Sequence, residues 1–357
     1  MREQPIKILQ INTEKTWRGG ERQTLLTMKG LLHQGQKPRL LCLEKHPLAR
    51  KAASESIPVA LVKNQKQALR YLARHGSSFD LIHAQTGKAQ SLAVIARSFH
   101  RRKIVYTRRV DFKPQGLAAK LKYRLTDRTI AISPAIGKIL ESFLPSTRVE
   151  VIPSCIDTSR ETLPPSAKAL DLRKKHPAQR IVGTIAAMVA HKDPLTMVRT
   201  IKELSRLAPE EFVFVHFGGG EMENTVKSEV KRLGLEDTYL FMGFEENVEN
   251  FYPVFDIFVM SSREEGLGSS VLEAFRYKVP VVSTTAGGLE KLVSGRGLLC
   301  PVHDHECLAA KISELLNSPE QYRDLIRKAH DHVLEEHSLE KMTRDYIRVY
   351  ETLLGRK

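Results

Sequence analysis

The chain has 357 residues, too many for one ordinary hydrophobic core, so two domains of about 150–200 residues are the natural division. A hydrophobic content of 41% excludes a disordered chain, and the longest apolar run, "IVGTIAAMVA" at 181–190, falls short of the roughly 18 residues a membrane span needs. The formal charge of +15 is lopsided: residues 1–170 carry 31 Lys and Arg against 12 Asp and Glu, whereas 171–357 carry 25 against 29.

The opening "MREQPIKILQI" is a polar lead into a strand over 6–11, without the apolar run of a signal peptide. The four cysteines, Cys42, Cys155, Cys300 and Cys307, form neither a C-x-x-C pair nor a metal-ligand spacing. Both features predict a reducing, cytoplasmic setting. Next, "ERQTLLTMKGLLHQG" has apolar residues at 25, 26, 28, 31 and 32, a helical face ending at Gly35. "PRLLCLE", "DLIHAQ" and "KIVYTRR" read as further strands, each followed by helix-like sequence.

Residues 97–128 hold eleven basic side chains and two acids, so this part should meet something negative: phosphate groups, an anionic bilayer surface or nucleic acid. The polar, proline-containing stretch 158–180 reads as a linker. A second series of strands follows: "RIVGTIAAM", "EFVFVHFG", "YLFMGF", "DIFVMSS" and "VPVVSTT". Strands at helix-separated spacing imply parallel sheets of βαβ units. The fold class is therefore α/β, with two Rossmann-like doubly wound domains facing across a cleft. The first is expected over 1–170 and the second over 171–335. A closing segment, 336–357, contains the amphipathic "HSLEKMTRDYIRVYETLLGRK" and is expected to pack back towards the first domain.

In open α/β sheets, ligands bind beyond the carboxyl ends of the strands. Four loops there carry unusual chemistry. "TWRGGERQ" sets Gly19 and Gly20 before a helix, where backbone N–H groups can approach an anion. "VAHKDP" sets Lys192 before another. Gly218-Gly219-Gly220 follows "EFVFVHF" but is not the dinucleotide fingerprint, since Glu223 stands where the last glycine belongs. The fourth loop, "SSREEGLGSSVLEAF" at 261–275, places Glu265 and Glu273 on either side of Gly266, Gly268, Ser269 and Ser270. Ser270 and Glu273 also stand in the S-x-x-E spacing of a capping box, a purely structural explanation. A loop offering a carboxylate and free amides together can bind hydroxyls and phosphate at once, as a sugar joined to a nucleoside diphosphate requires.

The paired glutamates in "SREEGLGSSVLEAF", the preceding "FMGF" and "VFDIFVMSS", and the following "VPVVSTTAGGLEKLV" together resemble the retaining glycosyltransferases of family four, which have the GT-B fold. The resemblance runs nearly the full length and is strongest over 181–300. It implies that Glu265 holds hydroxyls of the donor sugar and Glu273 the ribose, with Gly266, Leu267 and Gly268 facing the sugar and diphosphate. It implies that Lys192 neutralises the departing diphosphate, that Gly218 belongs to the donor site and that Phe244 lies where the nucleobase is held. Gly19 and Gly20 match the family's glycine pair in the first domain.

Three departures stand out. Ala187 occupies a position where the family commonly has an arginine, and Arg109 one where it often has a histidine; Arg108 or Arg109 is a candidate replacement cation. His83, in "DLIHAQ", resembles the family's D-x-x-H strand end and is an acceptor-side candidate, equally explained as a buried structural histidine. Ser154 and Cys155 replace the usual asparagine and glycine before Ile156.

The implied reaction moves a sugar from a nucleotide donor to a hydroxyl of a glycan or lipid-linked acceptor, with retention, as in envelope polysaccharide or lipopolysaccharide synthesis. Catalytic roles fall to Glu265, Lys192 and Arg109. Attack would come from the front face, with no settled protein nucleophile, and domain closure would exclude water. The chain has no D-x-D motif, so neither a divalent metal nor a cofactor is expected. The charge predicts reversible, salt-sensitive attachment to an anionic inner membrane face. Rival readings are a nucleotide-sugar epimerase or glycan phosphorylase of similar architecture, a non-catalytic scaffold keeping a relict donor site, and a basic nucleic-acid-binding protein. The last lacks any recognised motif, and nucleic acid is not expected as a partner.

Overall fold

The run Lys7–Asn12 forms the first strand, β1, with every residue after Lys7 buried. Burial on both faces is what a central parallel strand requires, because helices cover both sides of the sheet. The strands β2 (Lys37–Leu43), β3 (Val59–Val62), β4 (Leu81–Ala84), β5 (Lys103–Arg108), β6 (Arg128–Ala131) and β7 (Val149–Val151) pair with it in the order β3-β2-β1-β4-β5-β6-β7, all parallel. A second sheet contains β8 (Arg180–Ile185), β9 (Phe212–Phe217), β10 (Tyr239–Gly243), β11 (Ile257–Met260), β12 (Val281–Thr284) and β13 (Leu298–Cys300). Its order is β10-β9-β8-β11-β12-β13, again parallel throughout. This computed structural model describes residues 4–145, 148–157 and 162–356.

The chain divides into two units, Met1–Ser159 with His337–Lys357, and Arg160–Glu336. The division precedes the expected one at 170, because Ala167–Lys175 is a helix of the second unit, capped by Ser166. Only 162–166 and 176–179 of the described part of the expected linker remain outside helix and strand; 158–161 lie outside the described residues.

In the first unit, helix Leu339–Leu354 lays Leu339, Met342, Tyr346, Val349 and Tyr350 into one buried cluster with Ile6, Ile8, Leu26 and Leu31. Gly30 makes this approach feasible: a Cβ there would lie 1.9 Å from the Thr343 hydroxyl. The core of the second unit joins Val182, Phe214, Ile257, Val259 and Val282 from the strands to Val198, Ile201, Leu308 and Ile312 from the helices.

Two sequence expectations fail here. Strands β3, β6, β7 and β13 were not apparent, because runs of three or four residues show no usable period. The cysteines do pair: Cys300, ending β13, is disulfide-bonded to Cys307 in the first turn of helix His305–Asn317. The intervening turn brings them together at a spacing that is not a metal or redox motif. Cys42 and Cys155 are free and buried.

Candidate functional site

In each sheet two neighbouring strands send the chain off in opposite directions: β1 and β4 in the first unit, β8 and β11 in the second. The crevice beyond the carboxyl ends of such a pair is where α/β sheets bind ligands. Lys192 follows β8 and Glu265 follows β11, so topology alone predicts that they meet.

They do meet. The Lys192 ammonium forms an ion pair with the Glu265 carboxylate, the two side chains being 19% and 14% exposed. Both loops are fixed from behind. The His191 carbonyl accepts the N–H groups of Arg263 and Glu264 at 2.9 and 3.1 Å. The Ser261 hydroxyl lies 3.1 Å from the Lys192 carbonyl and 3.0 Å from that of Asp193. Asp193, in the left-handed region at φ 48°, caps helix Pro194–Leu207 by accepting the Thr196 N–H, and His303 lies 2.5 Å from its carboxylate. An ammonium has three donors, so Lys192 can hold Glu265 and still offer N–H groups to a phosphate.

Beyond Glu265 the chain passes Gly266 and a buried Leu267 to Gly268, whose φ of 89° starts helix Ser269–Arg276 without any side-chain cap. The capping-box explanation of Ser270 and Glu273 fails on this geometry. Ser270 is already inside the helix, and its hydroxyl donates to the Ile185 carbonyl at 2.9 Å. Glu273 is 2% exposed, with the Arg276 guanidinium 3.7 Å away. The first-turn amides beside Glu265 therefore form an uncapped positive helix end, suited to an anion.

A second glycine pair shapes this loop, and the sequence reading cited it only as part of a pattern. Gly288 N–H donates to the Glu265 carbonyl at 2.8 Å. A Cβ on Gly287 would lie 2.2 Å from that oxygen, and one on Gly288 2.3 Å from the Gly266 carbonyl oxygen. The signal was two adjacent glycines after a buried strand, which marks a close backbone approach. Gly288→Ala must push the 265–268 loop away. Overpacking of this kind costs about 1–3 kcal/mol, and the expected result is loss of sugar transfer from a chain that still folds. Normal turnover in that variant would show that the loop position is not critical.

The Gly218 segment supports the same end of the sheet. Gly218 has φ 123°, its N–H donates to the Gly243 carbonyl at 2.8 Å, and a Cβ on it would lie 2.2 Å from the Ala186 carbonyl oxygen. A Cβ on Gly220 would press on the Met188 carbonyl at 2.4 Å. These glycines let β9's loop pack against the chain leading to Lys192. Neighbouring His216 bonds Tyr239 and the Ala186 carbonyl, and burial lowers its pKa to about 4, so it is a neutral strut. Phe244, next to Gly243, is 73% exposed.

In the first unit, Gly19 and Gly20 open helix Gly19–His33 after β1. Arg109, just past β5, lies alongside: a Cβ on Gly20 would be 3.9 Å from its Cδ. The Arg109 guanidinium grips Gln85 through the carbonyl at 3.0 Å and the side-chain oxygen at 2.6 Å. Gln85 donates in turn to Gln10.

The other two acceptor-side candidates are differently placed. His83 is fully buried between Tyr350 at 2.6 Å and Thr107 at 2.7 Å, and burial, reinforced by the Arg109 charge, holds its pKa well below the usual value. With both ring nitrogens engaged inside the core, His83 is a structural histidine linking β4 to the last helix. Arg108 is 4% exposed, donates to the Tyr123 hydroxyl at 2.8 Å and bonds the Phe112 carbonyl. Of the two arginines, only Arg109 keeps surface beside Gly20.

Comparison with known proteins follows this division. The family model described as Glycosyl transferases group 1 matches residues 170–332, and that described as Glycosyltransferase Family 4 matches 17–160. The N-acetyl-alpha-D-glucosaminyl L-malate synthase of Bacillus anthracis is 31% identical over 139 residues, 38% of this chain but only 36% of that protein. The lipopolysaccharide core biosynthesis mannosyltransferase LpsB of Rhizobium meliloti is 28% identical over 286 residues, 76% of this chain and 79% of LpsB. Among solved structures, Anabaena HepE in complex with UDP and glucose superposes with a TM-score of 0.85 at 19% identity, covering 97% of this chain and all (100%) of HepE. Both halves of the chain, and both of its sheets, thus carry the same assignment: it belongs to the family 4 glycosyltransferases and has the GT-B fold.

Proposed function

We propose that this glycosyltransferase takes a sugar from a nucleoside-diphosphate donor and passes it, with retention of anomeric configuration, to a hydroxyl of a glycan or lipid-linked acceptor. The observation that carries the reading is the meeting of Lys192 with Glu265 beside the uncapped start of helix Ser269–Arg276. A cation, a carboxylate and open amides in one place match the three needs of such a donor: diphosphate charge, sugar hydroxyls and close backbone approach. That HepE was solved with UDP and glucose, and that LpsB is a lipopolysaccharide core mannosyltransferase, supports the donor and acceptor classes.

In this reading the leaving diphosphate gains charge as the glycosidic bond breaks, and Lys192 with the loop amides stabilises it. No divalent metal takes part. Glu265 holds sugar hydroxyls, Glu273 the ribose, and the Gly243–Phe244 backbone the base. Arg109 serves the acceptor side of the first unit as a cation held by Gln85. The basic segment 97–128 draws the protein to an anionic membrane face, where such acceptors are displayed, with an attraction that salt screens over roughly 10 Å.

A thermal-shift panel of UDP-, GDP- and ADP-sugars tests the donor. A ligand at about 100 times its Kd stabilises the folded state by about 2.7 kcal/mol, so one nucleotide class should raise the melting temperature by several degrees. The preferred donor is then incubated with glycan acceptors, and the anomeric configuration of the product is read by NMR. Isomerised donor without transfer, phosphorolysis, or no stabilisation by any nucleotide sugar would refute the proposal.

A further inference from the structure

Between β5 and β6 the chain builds helix Gly116–Arg124, of which only Tyr123 is buried. The helix is pinned at one end. Tyr123 receives the Arg108 guanidinium and packs edge-on against Tyr106 and Phe143, while Lys122 reaches the Gly87 carbonyl at 3.3 Å. Everything else faces outward. Leu117 is 83% exposed and Leu121 58%, one turn apart on one helix face; Phe112, just before the helix, is 63% exposed. Arg108 holds Phe112 in place through its carbonyl and by stacking over the ring at 5.2 Å. Lys113, Lys120 and Arg124 are also exposed, and no acidic residue occurs between Asp111 and Asp127.

A soluble surface rarely leaves large apolar side chains together without a partner. Apolar anchors set among lysines and arginines, without acids, are the composition of a helix that lies in the interface of an anionic bilayer. We infer that helix Gly116–Arg124 with Phe112 is a membrane-insertion element: Phe112, Leu117 and Leu121 enter the headgroup–acyl boundary, while Lys113, Lys120 and Arg124 contact anionic headgroups. This deepens the proposed membrane attachment and rests on it, changing its nature from purely electrostatic to partly hydrophobic. An acidic protein partner would match the charge but leave the leucines without a reason. The element also follows Arg109 directly in the chain, so insertion would bring the acceptor side of the first unit to the lipid surface.

The test uses the full chain and vesicles of phosphatidylcholine with or without phosphatidylglycerol, sedimented at low and high salt. Binding to anionic vesicles should weaken in high salt yet persist. Leu117→Ser/Leu121→Ser should weaken it by about tenfold or more at both salt levels, from the lost apolar transfer. Lys120→Gln/Arg124→Gln should weaken it mainly at low salt. Leu117→Trp should gain a blue-shifted emission quenched by brominated lipid, read against the parent chain, whose one tryptophan is Trp17.

Binding abolished by salt, with the double-serine variant behaving like the parent, would overturn insertion while sparing electrostatic attachment. Failure of the parent to bind anionic vesicles would defeat both. A parent dimer that the double-serine variant dissociates would identify a second copy as the occupant and overturn the proposal. Stabilisation by nucleotide sugars should be the same in all variants, so the donor reading stands or falls separately.

Discussion

Lys192→Ala is expected to cut sugar transfer by more than tenfold and to weaken nucleoside-diphosphate binding. The lost contact is charge-assisted and partly desolvated, and such contacts contribute about 1.5–3 kcal/mol. The structure adds a second cost. Lys192 is the ion-pair partner of Glu265, a side chain only 14% exposed, so alanine also deprives a half-buried carboxylate of its counter-charge. Glu265 then repels the incoming diphosphate instead of being neutralised.

The two costs separate in a double-mutant cycle. If Lys192 acts on phosphate directly, Lys192→Ala remains impaired in a Glu265→Gln background. If its role is only to neutralise Glu265, the second substitution restores nucleotide binding. Steady-state kinetics and calorimetry with the free nucleotide distinguish these cases. Unchanged kinetics in a folded Lys192→Ala chain would remove this residue from the site.

What the sequence disclosed, and what it withheld, follows from the range over which each feature is encoded. The alternation of strands and helices is local, and it was legible for long, fully apolar runs such as Phe212–Phe217. It was not legible for Arg128–Ala131 or Leu298–Cys300, which become strands because neighbours offer them a sheet edge. The loop holding Glu265 was legible because glycines and carboxylates are packed into a few residues. Its support by Gly287 and Gly288 comes from about twenty residues away and needs the β11–β12 neighbourhood to be seen.

The same reasoning covers the misassigned residues. Ser270 and Glu273 have capping-box spacing, but Gly268 at positive φ starts the helix earlier, and tertiary contact with Ile185 claims the hydroxyl. His83 and Arg108 look alike in sequence to surface ligands. Only the last helix, through Tyr350, shows His83 to be a core residue, and only Tyr123 and Phe112 account for Arg108. The exposure of Leu117 and Leu121 was hidden for the opposite reason: helical spacing suggests a core face, and the fold leaves that face bare.

The paired glutamates give the second large effect, and burial decides how they should be changed. Glu273 is 2% exposed beside Arg276, itself 8% exposed. Glu273→Ala would open a cavity and take a counter-charge from a buried guanidinium. Breaking a buried pair in this way costs about 3–5 kcal/mol, and the loss of fold would mask any loss of function. The isostere Glu273→Gln keeps the volume and one acceptor oxygen, so it is the better probe. If Glu273 holds the ribose, this variant should bind the free nucleotide and the intact donor about equally less well, by roughly tenfold if one charge-assisted bond is lost. Glu265→Gln should behave differently. It removes the carboxylate that faces the sugar and frees Lys192, so free-nucleotide binding should persist or tighten while transfer falls by roughly ten- to hundredfold. The measurement is a pair of titrations, nucleotide and nucleotide sugar, beside the turnover rate of each variant. Nucleotide binding lost in Glu265→Gln but kept in Glu273→Gln would exchange the two assignments. Normal turnover in both, with only a lowered melting temperature, would leave the glutamates as struts of the 261–276 loop and helix, and the donor's hydroxyls would have to be held by other groups.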